Sequence, residues 1–270
     1  MILNPFVYST AVAYLLDTYA GAVAAYSLRV LYAAWASSDV VLVRRSSDDA
    51  ESGFTATEVS DGTMLTWVGT GGTDNGFVTT WYDQSGNAKN AVQATTTKQP
   101  KIVAAGVLVA GGIDLDGTDD FLKTASDVTI NYPSTTFSVS NIRTKSNQYM
   151  FDSGSGAGGR RALRADYHIV DQDATSAASS SSTVGATELN FIKFDNLDTD
   201  HRINGGTLNN LSATDFTASS VTPFVIGSYY AAGGAFFDGT LAEIILYNSD
   251  ESSNRVAIEG NIASYYGITI

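Results

Sequence analysis

Carboxylates are the most abundant reactive groups in this chain, with 28 Asp and Glu against 15 Lys and Arg. Two carboxyl groups held roughly 5 to 10 Å apart can cleave a glycosidic bond, one as acid and one as nucleophile or base. Abundance alone selects no pair. Glu243, inside TLAEIIL, and Glu188, at the head of another apolar run, read as strand residues with structural hydrogen bonds. Asp83 and Asn87 belong to YDQSGN, where Asp and Asn side chains bond their own backbone in a turn. Asp195, Asp198 and Asp200 offer oxygens, yet their spacing departs from a calcium loop and reads as a charged hairpin turn.

Other chemistries find little support. His168 and His201 are the two histidines, without H-x-x-x-H spacing and without a single cysteine thiol, so no metal site is expected. Residues 154–159, GSGAGG, match G-x-G-x-x-G formally, but Arg160-Arg161-Ala162-Leu163 follow with no βαβ context, so no cofactor is expected. This reads as an edge loop in which Asp152, Arg160 and Arg161 can bond sugar hydroxyls or acidic glycans. Tyr229-Tyr230, just before AAGG, could stack on sugar rings. Those five residues form the expected ligand-binding set; no catalytic set is assigned.

The elements that must position them come next. At 270 residues and 44% hydrophobic content, the chain can bury a core as one domain, residues 19–270, behind an apolar arm, residues 1–18. A net charge of −13 without a basic run argues against nucleic acid. The opening residues lack a positive start and meet Asp17 before a spanning length, so neither signal peptide nor membrane insertion is expected.

Residues 20–35 carry apolar side chains at helical spacing, Ala24, Leu28, Leu31 and Trp35, predicting a buried helix. Residues 40–45, VVLVRR, predict a strand, and residues 57–68 one short helix capped at Ser60 or Asp61. Phe77, Thr79 and Trp81 should face opposite to Val78, Thr80 and Tyr82 along a strand ended by the YDQSGN turn. Beyond it, many short strands separated by Gly, Asp, Asn or Pro predict an all-β antiparallel sandwich. Residues 176–183 are low-complexity and read as a solvated loop. A final helix begins near Ser249, buries Ile258 and Ile262, and stops at Gly267; Gly260 inside it costs about 1 kcal/mol relative to Ala.

AAYSLRVLYAAW, VLVRRSSD, TTWYDQSGN, IDLDGTDDFL and FFDGTLAEIILYN, followed by a helix ending SYYGI, together resemble concanavalin A-like (laminin-G-like) domains of bacteriophage tail and virion proteins. The first half is also similar to the catalytic domain of glycoside hydrolase family 54 α-L-arabinofuranosidases. The resemblance implies a jelly-roll sandwich whose concave face or edge loops bind glycans. In that family the nucleophile is a Glu a few residues past FD-x-G; here Phe151-Asp152-Ser153-Gly154 places Ala157 near that point. The expectation is therefore a non-enzymatic virion surface protein, made in the host cytoplasm. Its expected partners are other virion proteins, host or environmental glycans and further copies of itself. The alternative is a two-carboxylate glycoside hydrolase acting on polysaccharide.

Overall fold

A computed structural model describes residues 14–270 except 155–159, 167, 173–174, 179–181, 197, 212–219 and 231–232. Among the described residues the chain is all-β: every strand pairing is antiparallel, and 19 strands join one hydrogen-bonded sheet beside a separate two-stranded ribbon. Ile192 and Phe194 from one end of that sheet share a core cluster with Phe151 and Leu163 from the other, so the sheet doubles over around a common interior. A second cluster lies on the opposite side of the Asp238–Tyr247 strand, where helix Arg255–Tyr266 packs through Ile258, Ile262 and Ala263.

The predicted helix over residues 20–35 is instead a strand, Ala22–Ser27, with a single 3-10 turn, Ala33–Trp35. Ala24 and Tyr26 lie in the first core cluster and Ala25 in the second. A strand buried on both faces gives a continuous apolar run, which helical spacing mimics. Its pairing explains how it holds. One edge pairs with Asp238–Tyr247, and the YDQSGN turn grips the rest of the strand. Asp83 Oδ1 accepts from the Ala25 N–H (2.8 Å), Asn87 Nδ2 donates to the Ala22 carbonyl (3.0 Å), and Gln84 Nε2 donates to Ser27 O (2.9 Å).

Strand Gly76–Trp81 also departs from strict alternation. Val43 pairs with Val78 but Leu42 pairs with Thr80, so Thr79 is a bulge. The extra residue turns both Val78 and Trp81 into the core, each fully buried. The expected strand at 40–45 is Asp39–Arg45, and residues 57–68 hold two short helices, Ala56–Ser60 and Thr63–Val68. The first opens on a capping box in which Thr55 and Glu58 satisfy each other's backbone N–H groups; Asp61 instead accepts from the Thr63 N–H at 2.9 Å. The start of the low-complexity tract is strand, Thr175–Ala178, paired with His168–Gln172.

Of the apolar arm, only residues 14–18 are described, and Leu15 and Leu16 there are buried. No helix among the described residues is long and apolar enough to cross a membrane. The last helix begins at Arg255 behind Asn254 rather than at Ser249, and Gly267 ends it in the left-handed region at φ 67°. A Cβ on Gly260 would meet nothing within 4 Å. Gly260→Ala is therefore expected to stabilise the protein by about 0.5–1 kcal/mol, read as a higher urea midpoint at unchanged slope.

Candidate functional site

Asp152 sits on strand Tyr149–Ser153 beside Phe151, which enters the core, so its carboxylate lies on the other face. It is fully buried there under Arg160, whose Nε and Nη2 reach its two oxygens at 3.0 and 2.5 Å. The Tyr230 N–H donates to the same carboxylate at 3.0 Å. Arg160 in turn lies 5.0, 4.7 and 5.6 Å from the ring centroids of Tyr149, Tyr229 and Tyr230. Burial pushes the Asp152 carboxyl up to about 6 against the opposing pull of Arg160.

Four of the five expected ligand residues thus form one cluster. Within it, Asp152 and Arg160 spend their bidentate geometry on each other, and the half-buried Tyr229 and Tyr230 rings are what they position. Arg161 goes elsewhere. It is fully buried on the core side, reaches the Asn131 carbonyl at 3.4 Å, and has its guanidinium pushed down to about 10 by burial. Ala157 and most of the glycine-rich loop lie outside the described residues.

A second arrangement was not anticipated from the sequence. Arg44 pairs with Phe77, Phe77 with Lys101, and Lys101 with Asp114, so these four share one sheet face. Val43, Val78 and Leu115, their chain neighbours, are in the core, which puts the row on the outer face. Asp116 follows on that face and opens a tight loop. Its Oδ1 accepts from the Thr118 and Asp119 N–H groups at 2.8 and 3.3 Å, and Gly117 takes φ 75°. The loop delivers Asp116, Asp119 and Asp120 with one oxygen of each within 4.8 Å of the others.

The carboxylates Asp116 and Asp120 face a cavity of 580 Å³, also lined by Arg44, Phe77, Gln99 and Lys101. Arg44 crosses the Phe77 ring at 4.5 Å and is held by Gln99 Oε1 (2.8 Å) and Asp49 (2.5 Å). Asp120 is only 6% exposed, whereas Asp116 is exposed. Burial first, and then the charge of Asp116, push the Asp120 carboxyl up to about 7. One loop therefore presents a carboxyl that stays protonated near neutrality beside an exposed partner. Three oxygen donors so close could also ligate a hard cation.

The remaining sequence candidates are structural. Glu243 is fully buried in an ion pair with Arg29 (2.7 Å), and Glu188 accepts from the Thr183 N–H (2.8 Å). Asp195, Asp198 and Asp200 surround Lys193 at 4.0, 2.7 and 3.3 Å. His201 is fully buried against Asn190 at 3.0 Å, and burial pushes its imidazole down to about 3.

No protein-family model matches this chain. No curated protein matches it either. Solved structures do. A glycoside hydrolase family 54 α-L-arabinofuranosidase soaked with a cyclic sulfate inhibitor is similar over 93% of this chain and 64% of its own, with TM-score 0.64 and 15% identity. A glutamate-to-glutamine mutant from the same family, soaked with 4-nitrophenyl α-L-arabinofuranoside, matches over the same shares with TM-score 0.63 and 16% identity. An arabinofuranosidase complexed with arabinofuranosyl-α-1,2-xylobiose gives TM-score 0.57 and 15% identity over those shares.

At these identities the likeness establishes a shared β-sandwich fold, and this chain spans 64% of the length of those proteins. It corrects the expectation of a non-enzymatic virion surface protein: the three solved structures just named are arabinofuranosidases. That expectation rests on the resemblance to bacteriophage domains and on Ala157 near the position of the family's nucleophile, and Ala157 lies outside the described residues.

Proposed function

We propose that this chain is a glycoside hydrolase domain acting on oligosaccharide or polysaccharide, with Asp120 as general acid and Asp116 as its partner carboxylate. The observation that carries it is the contrast within one cavity: Asp120 buried with its carboxyl raised to about 7, and Asp116 exposed beside it. Environments that drive two neighbouring carboxyls apart are what acid and nucleophile roles require. Protonated Asp120 gives its proton to the glycosidic oxygen as the bond to the anomeric carbon breaks. Asp116 attacks or stabilises that carbon, and water completes the cleavage. With one oxygen of each within 4.8 Å of the other, the pair is nearer the short carboxyl spacing of a retaining mechanism, about 5–5.5 Å, than the wider one of an inverting mechanism.

Two further features support the reading. The sandwich is the kind used by the arabinofuranosidases, and a concanavalin A-like jelly-roll strand order belongs to the same proposal. Strand Phe224–Ile226, which leads into Tyr229 and Tyr230, also pairs with Leu122–Thr124, the strand directly after Asp120. The tyrosine cluster and the carboxyl pair therefore arise from neighbouring strands, and the rings give a sugar an apolar face to rest on.

The test is release of 4-nitrophenol from a panel of aryl glycosides that includes the α-L-arabinofuranoside, together with reducing ends from arabinan and arabinoxylan. Wild type should cleave at least one of them, and Asp116→Asn should not. A purified, folded protein inactive on the whole panel, or activity indifferent to Asp116→Asn, would overturn the assignment.

A further inference from the structure

At the far end of the Asp39–Arg45 and Glu51–Thr55 hairpin lies a second cavity, of 590 Å³, whose walls include Tyr14, Arg29, Thr57, Asn261, Ser264 and Tyr265. Asp39 pairs with Thr55 beside this cavity, while Arg44 pairs with Glu51 at the carboxylate cavity. Asp39 and Arg44 are five steps apart along the strand, a span of about 17 Å. The second cavity is thus a place of its own. Its size falls within the range of about 300–1,000 Å³ typical of small-molecule sites.

Its chemistry is distinctive for a chain of net charge −13: among the described residues no carboxylate lines it. The one charged group on its wall among the described residues, Arg29, is neutralised from below by buried Glu243, with Nε–Oε2 at 2.7 Å and Nη2–Oε1 at 2.9 Å. Arg29 Nη1 also donates to Asn261 Oδ1 at 2.9 Å, which fixes the amide so that its NH₂ group is left to donate elsewhere. The guanidinium lies 4.8 Å from the Tyr265 ring centroid, and Tyr265 is nevertheless 56% exposed. Thr57 and Ser264 add exposed hydroxyls.

A fixed aromatic ring bordered by amide and hydroxyl groups, with no net charge, matches a ligand that has apolar ring faces and many hydroxyls. We infer that this cavity binds a neutral oligosaccharide as a second, non-catalytic site distinct from the Asp116/Asp120 cavity. The inference rests on the glycoside reading only for the class of ligand. An anionic sugar would find Arg29 already paired, and an apolar ligand would leave the amide and hydroxyls unsatisfied.

The experiment titrates the Asp120→Asn protein, in which hydrolysis should be slow, with xylotetraose, arabinofuranosyl-xylobiose and trigalacturonate, by calorimetry and ligand-observed NMR. At least one neutral sugar should bind. Tyr265→Ala and Asn261→Ala should each weaken it about tenfold, the scale of one lost aromatic or hydrogen-bonding contact. Thr57→Trp, an exposed substitution that fills the cavity, should abolish it, with thermal unfolding confirming that each variant is folded. Preference for trigalacturonate, binding unaffected by all three changes, or no binding of either neutral sugar would overturn the inference. Hydrolysis of a small aryl glycoside by wild type is read separately, so failure of this site and failure of the catalytic assignment give different results.

Discussion

Asp120→Asn is expected to remove hydrolysis by about a thousand-fold, within the range that general acids contribute, while leaving the fold intact. The amide keeps the shape of the carboxyl but has no proton to give the leaving oxygen. The wild-type rate should fall as pH rises through about 7, where Asp120 loses the proton it must donate. In Asp120→Asn that limb should disappear from whatever activity remains. Stability should move the other way. Because the folded-state value is raised, Asp120 contributes fully below its ordinary value near 4, and that contribution is lost as pH rises through about 7. Above pH 7 the variant, which buries no charge, should melt no lower than wild type, whereas near pH 4 the two should converge. Activity that persists in Asp120→Asn with an unchanged alkaline limb would remove Asp120 from the mechanism.

Asp83→Ala is expected to be the most damaging change to the fold, lowering stability by about 3–5 kcal/mol through buried donors left without an acceptor. Asp83 is fully buried, and its carboxylate accepts from three backbone N–H groups, those of Ala25 (2.8 Å), Ser85 (2.9 Å) and Lys89 (2.9 Å). The Ser85 hydroxyl adds a fourth bond at 2.8 Å. Three of these bonds shape the turn; the Ala25 bond fastens the turn to strand Ala22–Ser27. Asp83→Asn should cost less, since Oδ1 can still serve Ala25 and Ser85 while the new NH₂ group opposes the Lys89 N–H. A urea midpoint for Asp83→Ala within error of wild type would show that the turn does not secure that strand.

The two residues that matter most in these predictions differ in how visible they were. Asp83 announced itself, because Asp-Gln-Ser-Gly-Asn after an apolar run is turn chemistry that depends on neighbours a few residues away. That it also clasps a strand 58 residues earlier in the chain was not visible. Asp120 gave a weaker signal. D-x-D-G-T-D-D does crowd carboxyls into a few residues, but the pattern does not say which of them becomes buried. Asp120 is raised by burial, and the strand that follows it, Leu122–Thr124, is flanked by Phe224–Ile226 and Ala91–Val92, pairings that the local pattern does not announce. The cluster of Asp152, Arg160, Tyr229 and Tyr230 lay between these cases. Its members were chosen for chemistry, and a fold-level contact between residues 152 and 230 assembled them.

By itself, the order of residues settled what depends on short range: an antiparallel β protein from many brief apolar runs, the YDQSGN turn, and a last helix burying Ile258 and Ile262 and ending at Gly267. Tertiary structure decided what depends on burial from two sides. It made residues 22–27 a strand, because both faces are packed, and set a bulge at Thr79 that sends Val78 and Trp81 into the same core. It also raised one aspartate above its neighbours, since burial, which the sequence does not specify, is the first cause, and the charge of Asp116, four residues away, only the second.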